Sequence, residues 1–285
     1  MHPVGLLQPV GSSLRLCYNP RSTTDMTSIP FVKATACGND FLVIDLVYAP
    51  SDISALTRRI CDRHNGVGAD GIEWISPASD ADLAIRLLNA DGSEAEISGN
   101  GTRCVAAWYC DQNHRSAVVI RTGAGLKSCE LKLRDGNSFE FRGSMGEPAV
   151  GGDLSVNVAG GTVTGVSVSM GNPHFVAFVS DFLPGWQTVA GQISLHPDFK
   201  QGMNVEVVKV LSPGEIDVRF CERGVGETMS SGTGSSAAAV ASIHVGRAKS
   251  PIRVRSLGGA QTVEWEREVF LTGPATLLCR GEFFV

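Results

Sequence analysis

The chain has 285 residues, of which 43% are hydrophobic and 19% charged, and its formal net charge is −5. It is long enough to bury a substantial core in one large domain or two ordinary ones, which excludes the disordered class. The charge balance offers no electrostatic footprint for nucleic acid or an anionic membrane, and no apolar run is long enough to span a bilayer.

Residues 1–28 read as a flexible tail or a misassigned start. Pro and Gly break up their one apolar patch, and neither the h-region nor the cleavage site of a signal peptide is present. Strand signals begin at SIPFVKATACGNDFLVIDL and dominate from there. GIEWIS, LAIRLLNA, SAVVIRT, CELKLR and SFEFRG come first; TVTGVSVSM, HFVAFVS, NVEVVKVL, EIDVRFCE, IRVRS, QTVEWE and VFLTGPATLLCRGEFFV follow. Several of these alternate apolar and polar residues with period two, as half-buried antiparallel strands do. Turn signals such as RDGNS and SLGGA separate them. Helices are few. A weakly amphipathic one is expected near DISALTRRICDRH, and two apolar ones over 102–113 and 235–245. A helix that is apolar nearly all round is normally buried.

Eight cysteines occur with no C-x-x-C pair and no repeated spacing. They read as reduced thiols of a cytoplasmic protein, mostly small buried hydrophobes, and no metal site is expected.

One pattern occurs twice. EAEISGNGTRC at 94–104 and ETMSSGTGSSA at 227–237 share E-x-x-x-S-G-x-G, and Ser98 and Ser231 lie 133 positions apart. Each turn follows a strand signal and opens an apolar helix, so the repeat points to duplication and a pseudo-two-fold pair of β-rich domains. A Gly-rich turn opening a helix presents unpaired N–H groups backed by the helix dipole, which makes an anion site. Two such turns facing one cleft would hold an anionic group from both sides. Further polar clusters surround them: Asn39 in GND, the loop DRHNGVGADG, Asn89, Asn172 and His174 in MGNPH, Asn204, and Glu222 with Arg223. Each alone has an ordinary turn or strand-end role. Together they suit a small zwitterion such as an amino acid, since an Arg forks onto a carboxylate.

GNDF, DRHNGVGADG, NADGSEAE with SGNGTRC, MGNPH, GMNVE and ERGVGET with SGTG occur in this order across about residues 29–285. In that series the chain resembles the diaminopimelate epimerase family. The resemblance implies an α+β fold of two pseudo-symmetric domains, each a curled, mostly antiparallel sheet around a central buried helix. They are expected over 29–142 plus about 275–285, and over 143–274. It implies epimerisation of LL- to meso-diaminopimelate without a cofactor, in lysine and peptidoglycan synthesis, and a homodimer. By position, Asn39, Asn89, Asn172 and Asn204 would contact substrate. Glu222 and Arg223 would read the distal amino acid group, Gly99 and Asn100 with Gly232 and Thr233 would cradle the reacting carboxylate, and His174 would line the site.

In that family both bases are cysteines, where this chain has Ser98 and Ser231. A thiol starts from a pKa of about 8.5 and falls further at a helix N-terminus. A serine hydroxyl is a weak base unless a neighbour activates it. Four readings stay open. The chain is a serine-based epimerase, activated by His174 or His64; an isomerase for a related, more acidic substrate; an amino-acid-binding protein without turnover; or a Cys→Ser pair made to trap substrate. Cys37 and Cys104 are weaker candidates as replacement thiols, because Cys104 falls in a buried helix and Cys37 breaks the two-base symmetry.

Overall fold

The structure, a computed structural model, describes residues 28–285, so the expectation for the N-terminal tail falls outside the described residues apart from Ser28. The first half runs β1 (Ser28–Ala36), β2 (Asn39–Asp45), α1 (Ile53–Cys61), β3 (Gly71–Ser76), β4 (Leu83–Asn89), β5 (Glu94–Ala95), α2 (Gly99–Asn113), β6 (Ala117–Thr122), β7 (Gly125–Asp135) and β8 (Ser138–Gly146). The second runs β9 (Ala149–Val158), β10 (Gly161–Ser169), β11 (Pro173–Val179), α3 (Trp186–Ser194), β12 (Asn204–Ser212), β13 (Glu215–Glu222), β14 (Gly226–Thr228), α4 (Gly232–His244), β15 (Ile252–Ser256), β16 (Gly259–Trp265) and β17 (Val269–Phe284). This is the α+β fold expected, rich in strands and poor in helices.

The two halves repeat one topology. In the first, β2 runs parallel to β3 and β4 parallel to β6; in the second, β11 runs parallel to β12 and β13 parallel to β15. The other strand pairs are antiparallel. Each parallel pair needs a crossover, and in each half one crossover helix lies inside the curled sheet and one outside. Inside are α2, packed with Phe41, Val43, Leu87, Ile120 and Phe141, and α4, packed with Val176, Val208, Val218, Phe220 and Val254. Outside are α1, which covers Leu42, Ile44, Ile72 and Trp74, and α3, which covers Phe175, Ala177 and Val205. Strand β2 is therefore buried on both faces, which is why FLVI reads as a continuous apolar run rather than an alternating one.

The halves exchange strands. β8 pairs with the first part of β17, while the continuation of that chain, β9, pairs with β10 in the second half. The later part of β17, Thr276 to Phe284, pairs with β1 in the first half. The 133-residue spacing of the two serines also relates α1 to α3 and the starts of β2, β3 and α2 to Asn172, Asn204 and Gly232. No insertion separates the halves over that stretch.

Helix α3 and strands β5, β9 and β14 have no counterpart in the sequence reading. β5 and β14 are two and three residues long, too short to show a period. WQTVAGQIS carries an internal Gly191 and an N-terminal Gly185 with no side-chain cap, so its helical signal is weak. Helices α2 and α4 begin at Gly99 and Gly232, three residues earlier than periodicity placed them, because the glycines of SGNG and SGTG belong to the first turn.

Candidate active site

Ser98 and Ser231 are N-caps in extended conformation. Ser98 Oγ accepts the N–H of Gly101 at 3.1 Å, and Ser231 Oγ accepts that of Gly234 at 3.2 Å. Each satisfies one of the free donors of a first turn and leaves others facing outward. Gly99 is exposed and Gly232 half-buried, so both turns keep an open face.

The two turns meet. Asn100 is buried, and its Nδ2 donates to Asn39 Oδ1 at 2.7 Å and, across the halves, to Ser230 Oγ at 2.8 Å. Ser230 Oγ in turn donates to the carbonyl of Cys37 at 2.7 Å. Asn100 Oδ1 accepts from Nη2 of the buried Arg103, whose Nε also reaches the carbonyl of Pro274 in β17 at 3.2 Å. The hairpin carrying that Cys37 carbonyl turns in two residues, Cys37 and Gly38, both at positive φ, as a two-residue hairpin of this twist demands. A Cβ on Gly38 would stand 2.9 Å from Gly258 Cα, so the tip abuts the second half. The N-terminal turn of α2 is thus tied directly to the residue preceding Ser231.

Around Ser231 the other expected residues gather. Asn172 Nδ2 donates to Thr233 Oγ1 at 3.4 Å, and Asn172 Oδ1 lies 2.9 Å from His174 Nε2. His174 Nδ1 is 2.8 Å from Glu206 Oε1, and this pair is fully buried. Burial pushes the Glu206 carboxyl up, opposed by the hydrogen-bonded His174 beside it. Asn204 donates to the carbonyl of Pro173 at 3.0 Å and accepts from the N–H of Arg223 at 3.0 Å. The Arg223 side chain is exposed and rests on the carbonyl of Gln201. Burial also raises the Glu222 carboxyl, against a 2.6 Å hydrogen bond from Thr228, the nearby His174 and a hydrogen bond from Ser231. On the other side, Asn89 bonds Ser93 within its own turn, and Asn39 Nδ2 bonds Asp70 at 3.1 Å.

Neither histidine that could activate a serine is placed to do so. Both ring nitrogens of His174 are taken by Asn172 and Glu206, and His64 stands on an exposed loop. The Ser231 hydroxyl lies near the Glu222 carboxyl and lowers its proton affinity a little. Cys37 and Cys104 are buried thiols whose pKa burial pushes up, although Arg103 pulls the other way, so neither favours the thiolate.

Sequence reasoning passed over Glu73, Glu206, Arg103 and Ser230, all buried. Glu73 and Glu206 occupy the third position of β3 and β12, in GIEWIS and NVEVVK, 133 residues apart. A charged residue at the same place in two apolar runs was the available signal. Among the described residues no group of three His, Cys, Asp or Glu stands close enough to hold a metal ion, and no helix is long and apolar enough to cross a membrane.

Known proteins share this architecture. The methylitaconate-delta-isomerase structure aligns with a TM-score of 0.64 at 13% identity, over 92% of this chain and 96% of its own. A hydroxyproline epimerase from Agrobacterium vitis aligns with a TM-score of 0.64 at 19% identity over 90% of both chains. These show the fold. In sequence, the diaminopimelate epimerase of Pelotomaculum thermopropionicum is 39% identical over 275 residues, covering 89% of this chain and 98% of that protein. That of Moorella thermoacetica is 38% identical over 274 residues with the same coverage. The sequence profile of diaminopimelate epimerase matches residues 31–150 and 166–278, which takes in both serine turns and the polar clusters around them. By fold and by sequence over both halves, the chain belongs to the diaminopimelate epimerase family of isomerases.

Proposed function

We propose that this isomerase interconverts LL- and meso-diaminopimelate without a cofactor, by proton transfer at one α-carbon held between the turns of Ser98 and Ser231. The observation that carries the reading is the linked pair of N-capped turns. Two buried helices of the same topology open toward each other and are joined by the Asn100–Ser230 hydrogen bond. Free N–H groups of both turns stabilise the enolate-like charge that develops on the substrate carboxylate. One serine takes the α-proton from one face while the other returns a proton to the opposite face. Glu222 receives a proton from the Ser231 hydroxyl and, with Arg223, reads the distal amino acid group. Asn39, Asn89, Asn172, Asn204, Gly99, Asn100, Gly232 and Thr233 line the same cleft, with His174 behind them. Family membership supports a homodimer in the cytoplasm, serving lysine and peptidoglycan synthesis.

The expected outcome in D₂O, at high enzyme concentration, is exchange of substrate α-hydrogen for deuterium with both LL- and meso-diaminopimelate, read by proton NMR. A second reading is a binding protein without turnover. It is favoured by the occupied ring of His174, which leaves the neighbouring Ser231 with no free imidazole base. It predicts calorimetric binding of diaminopimelate with no exchange at all.

A further inference from the structure

Glu73 is the most isolated charged side chain of the described residues. It is fully buried, and neither carboxyl oxygen has a hydrogen-bond partner. Its position is tightly defined: a Cβ on Gly101 would collide with Oε1, lie 3.0 Å from Cδ and stand 3.3 Å from Ser98 Cβ. The carboxyl therefore presses on the first turn of α2, next to the serine that caps it. Glu206 occupies the matching place under α4, with Oε1 2.8 Å from where a Gly234 Cβ would sit. The two differ in one respect. Glu206 has His174 across the β11–β12 pair, whereas the position matching His174 in β2 is the apolar Phe41. A buried carboxyl lacking a partner of opposite charge is held in its neutral form.

The groups facing Glu73 are few. Helix α2 brings Ser98, Arg103 and Cys104, β2 brings Val43 and, further along, Asp40, and β4 brings Leu87. Arg103 is turned toward Asn100, Cys37 and Pro274, and burial alone sets the Glu73 proton affinity.

We propose that Glu73 is a positioning residue for the Ser98 half of the site: its uncharged carboxyl fills the space under the first turn of α2 and leaves that turn electropositive for a substrate carboxylate, and ionisation of the carboxyl turns the half-site off. The inference rests on the reading that an amino acid carboxylate binds at these turns. Loss of the proton places a negative charge on the far side of the same N–H groups, opposing both the bound carboxylate and the charge that develops on it. The Ser231 half differs, since Glu206 Oε1 has a hydrogen-bond partner in His174.

The test is calorimetric binding of diaminopimelate at pH 6.5 and pH 9 to the full chain and to its Glu73→Gln variant, with Glu73→Met as a second uncharged variant should Gln not fold. Ligand titration and the His174–Glu206 and Glu222 groups are common to all and cancel in the comparison. The expected result is an affinity loss at pH 9 that is on the order of tenfold greater in the unaltered chain than in either variant, the size of one unscreened charge at this range. Equal losses in all three would overturn the role of Glu73 while leaving the ligand reading intact. No binding at pH 6.5 by any of them would overturn the ligand reading, and this inference with it.

Discussion

At the scale of single residues, the chemistry turns on which groups hold protons. Two serines stand at the helix N-termini, and the Ser231 hydroxyl lies close enough to Glu222 to lower its proton affinity. A hydroxyl is a poorer acid–base group than a thiol in this position, and a matched group is typically worth about 10²–10⁴ in rate. The double substitution Ser98→Cys and Ser231→Cys is therefore expected to raise α-hydrogen exchange at least about 10²-fold; an unchanged rate would mean that the bases do not limit the reaction. Glu73 governs a second prediction. Burial raises its carboxyl from the usual range to about 8. In the unfolded chain it ionises near 4.5, so its contribution to stability is fully present below that pH and is lost as the pH rises to about 8. Glu73→Gln carries no such loss. Its unfolding free energy should thus gain on that of the unaltered chain from pH 5 to pH 8, by a difference on the order of a few kcal/mol that raises its melting temperature relative to the unaltered chain. Parallel melting curves across that range would contradict a buried, neutral Glu73.

At the scale of elements, the site depends on close approach between helices and strands. Gly101 is where α2 crosses Glu73, and any side chain there collides with the carboxyl. Gly101→Ala should destabilise the chain by about 1–3 kcal/mol, the usual range for overpacking. Adding Glu73→Ala should recover part of that, which a double-mutant cycle reads as coupling between the two positions; additive losses would refute the contact. The Asn100–Ser230–Cys37 chain is the second junction. Ser230→Ala strands a buried N–H of Asn100 and the Cys37 carbonyl, at about 1–3 kcal/mol, and should slow exchange more than it weakens binding because it loosens one turn relative to the other. The helices themselves were legible as apolar segments after Gly-rich turns. Their first residues were not, because SGNG and SGTG look like loop until an N-cap serine gathers the glycines into a turn. Helix α3 was hidden by weak amphipathicity. The 133-residue spacing reveals it, by carrying DISALTRRIC onto GWQTVAGQIS.

At the scale of the whole molecule, duplication explains both the symmetry and its breaking. The spacing of 133 pairs Asn39 with Asn172, Glu73 with Glu206, Asn89 with Glu222 and Ser98 with Ser231. The two-fold repeat of turns was readable from the serines, and the family from the motifs around them. The strand exchange of β8 and β1 with β17 was not, since it depends on partners more than a hundred residues away and leaves no local period. Nor was the asymmetry under the two turns, where His174 faces Glu206 and Phe41 stands in the matching place. A substrate that reacts at one end and is held by charge at the other suits such a cleft: Glu222 and Arg223 belong to one half, and the matching Asn89 and Ala90 of the other carry no charge. In the proposed reaction one serine from each half acts on a single α-carbon. Conversion of LL- to meso-diaminopimelate, followed by chiral separation, tests it with the unaltered chain and the Ser98→Ala and Ser231→Ala variants, each checked for folding by thermal melt because an N-cap is worth about 1 kcal/mol. The unaltered chain should convert the substrate and each single variant should lose at least about 10²-fold, with both still binding the substrate; conversion that survives removal of either hydroxyl would contradict a two-serine mechanism.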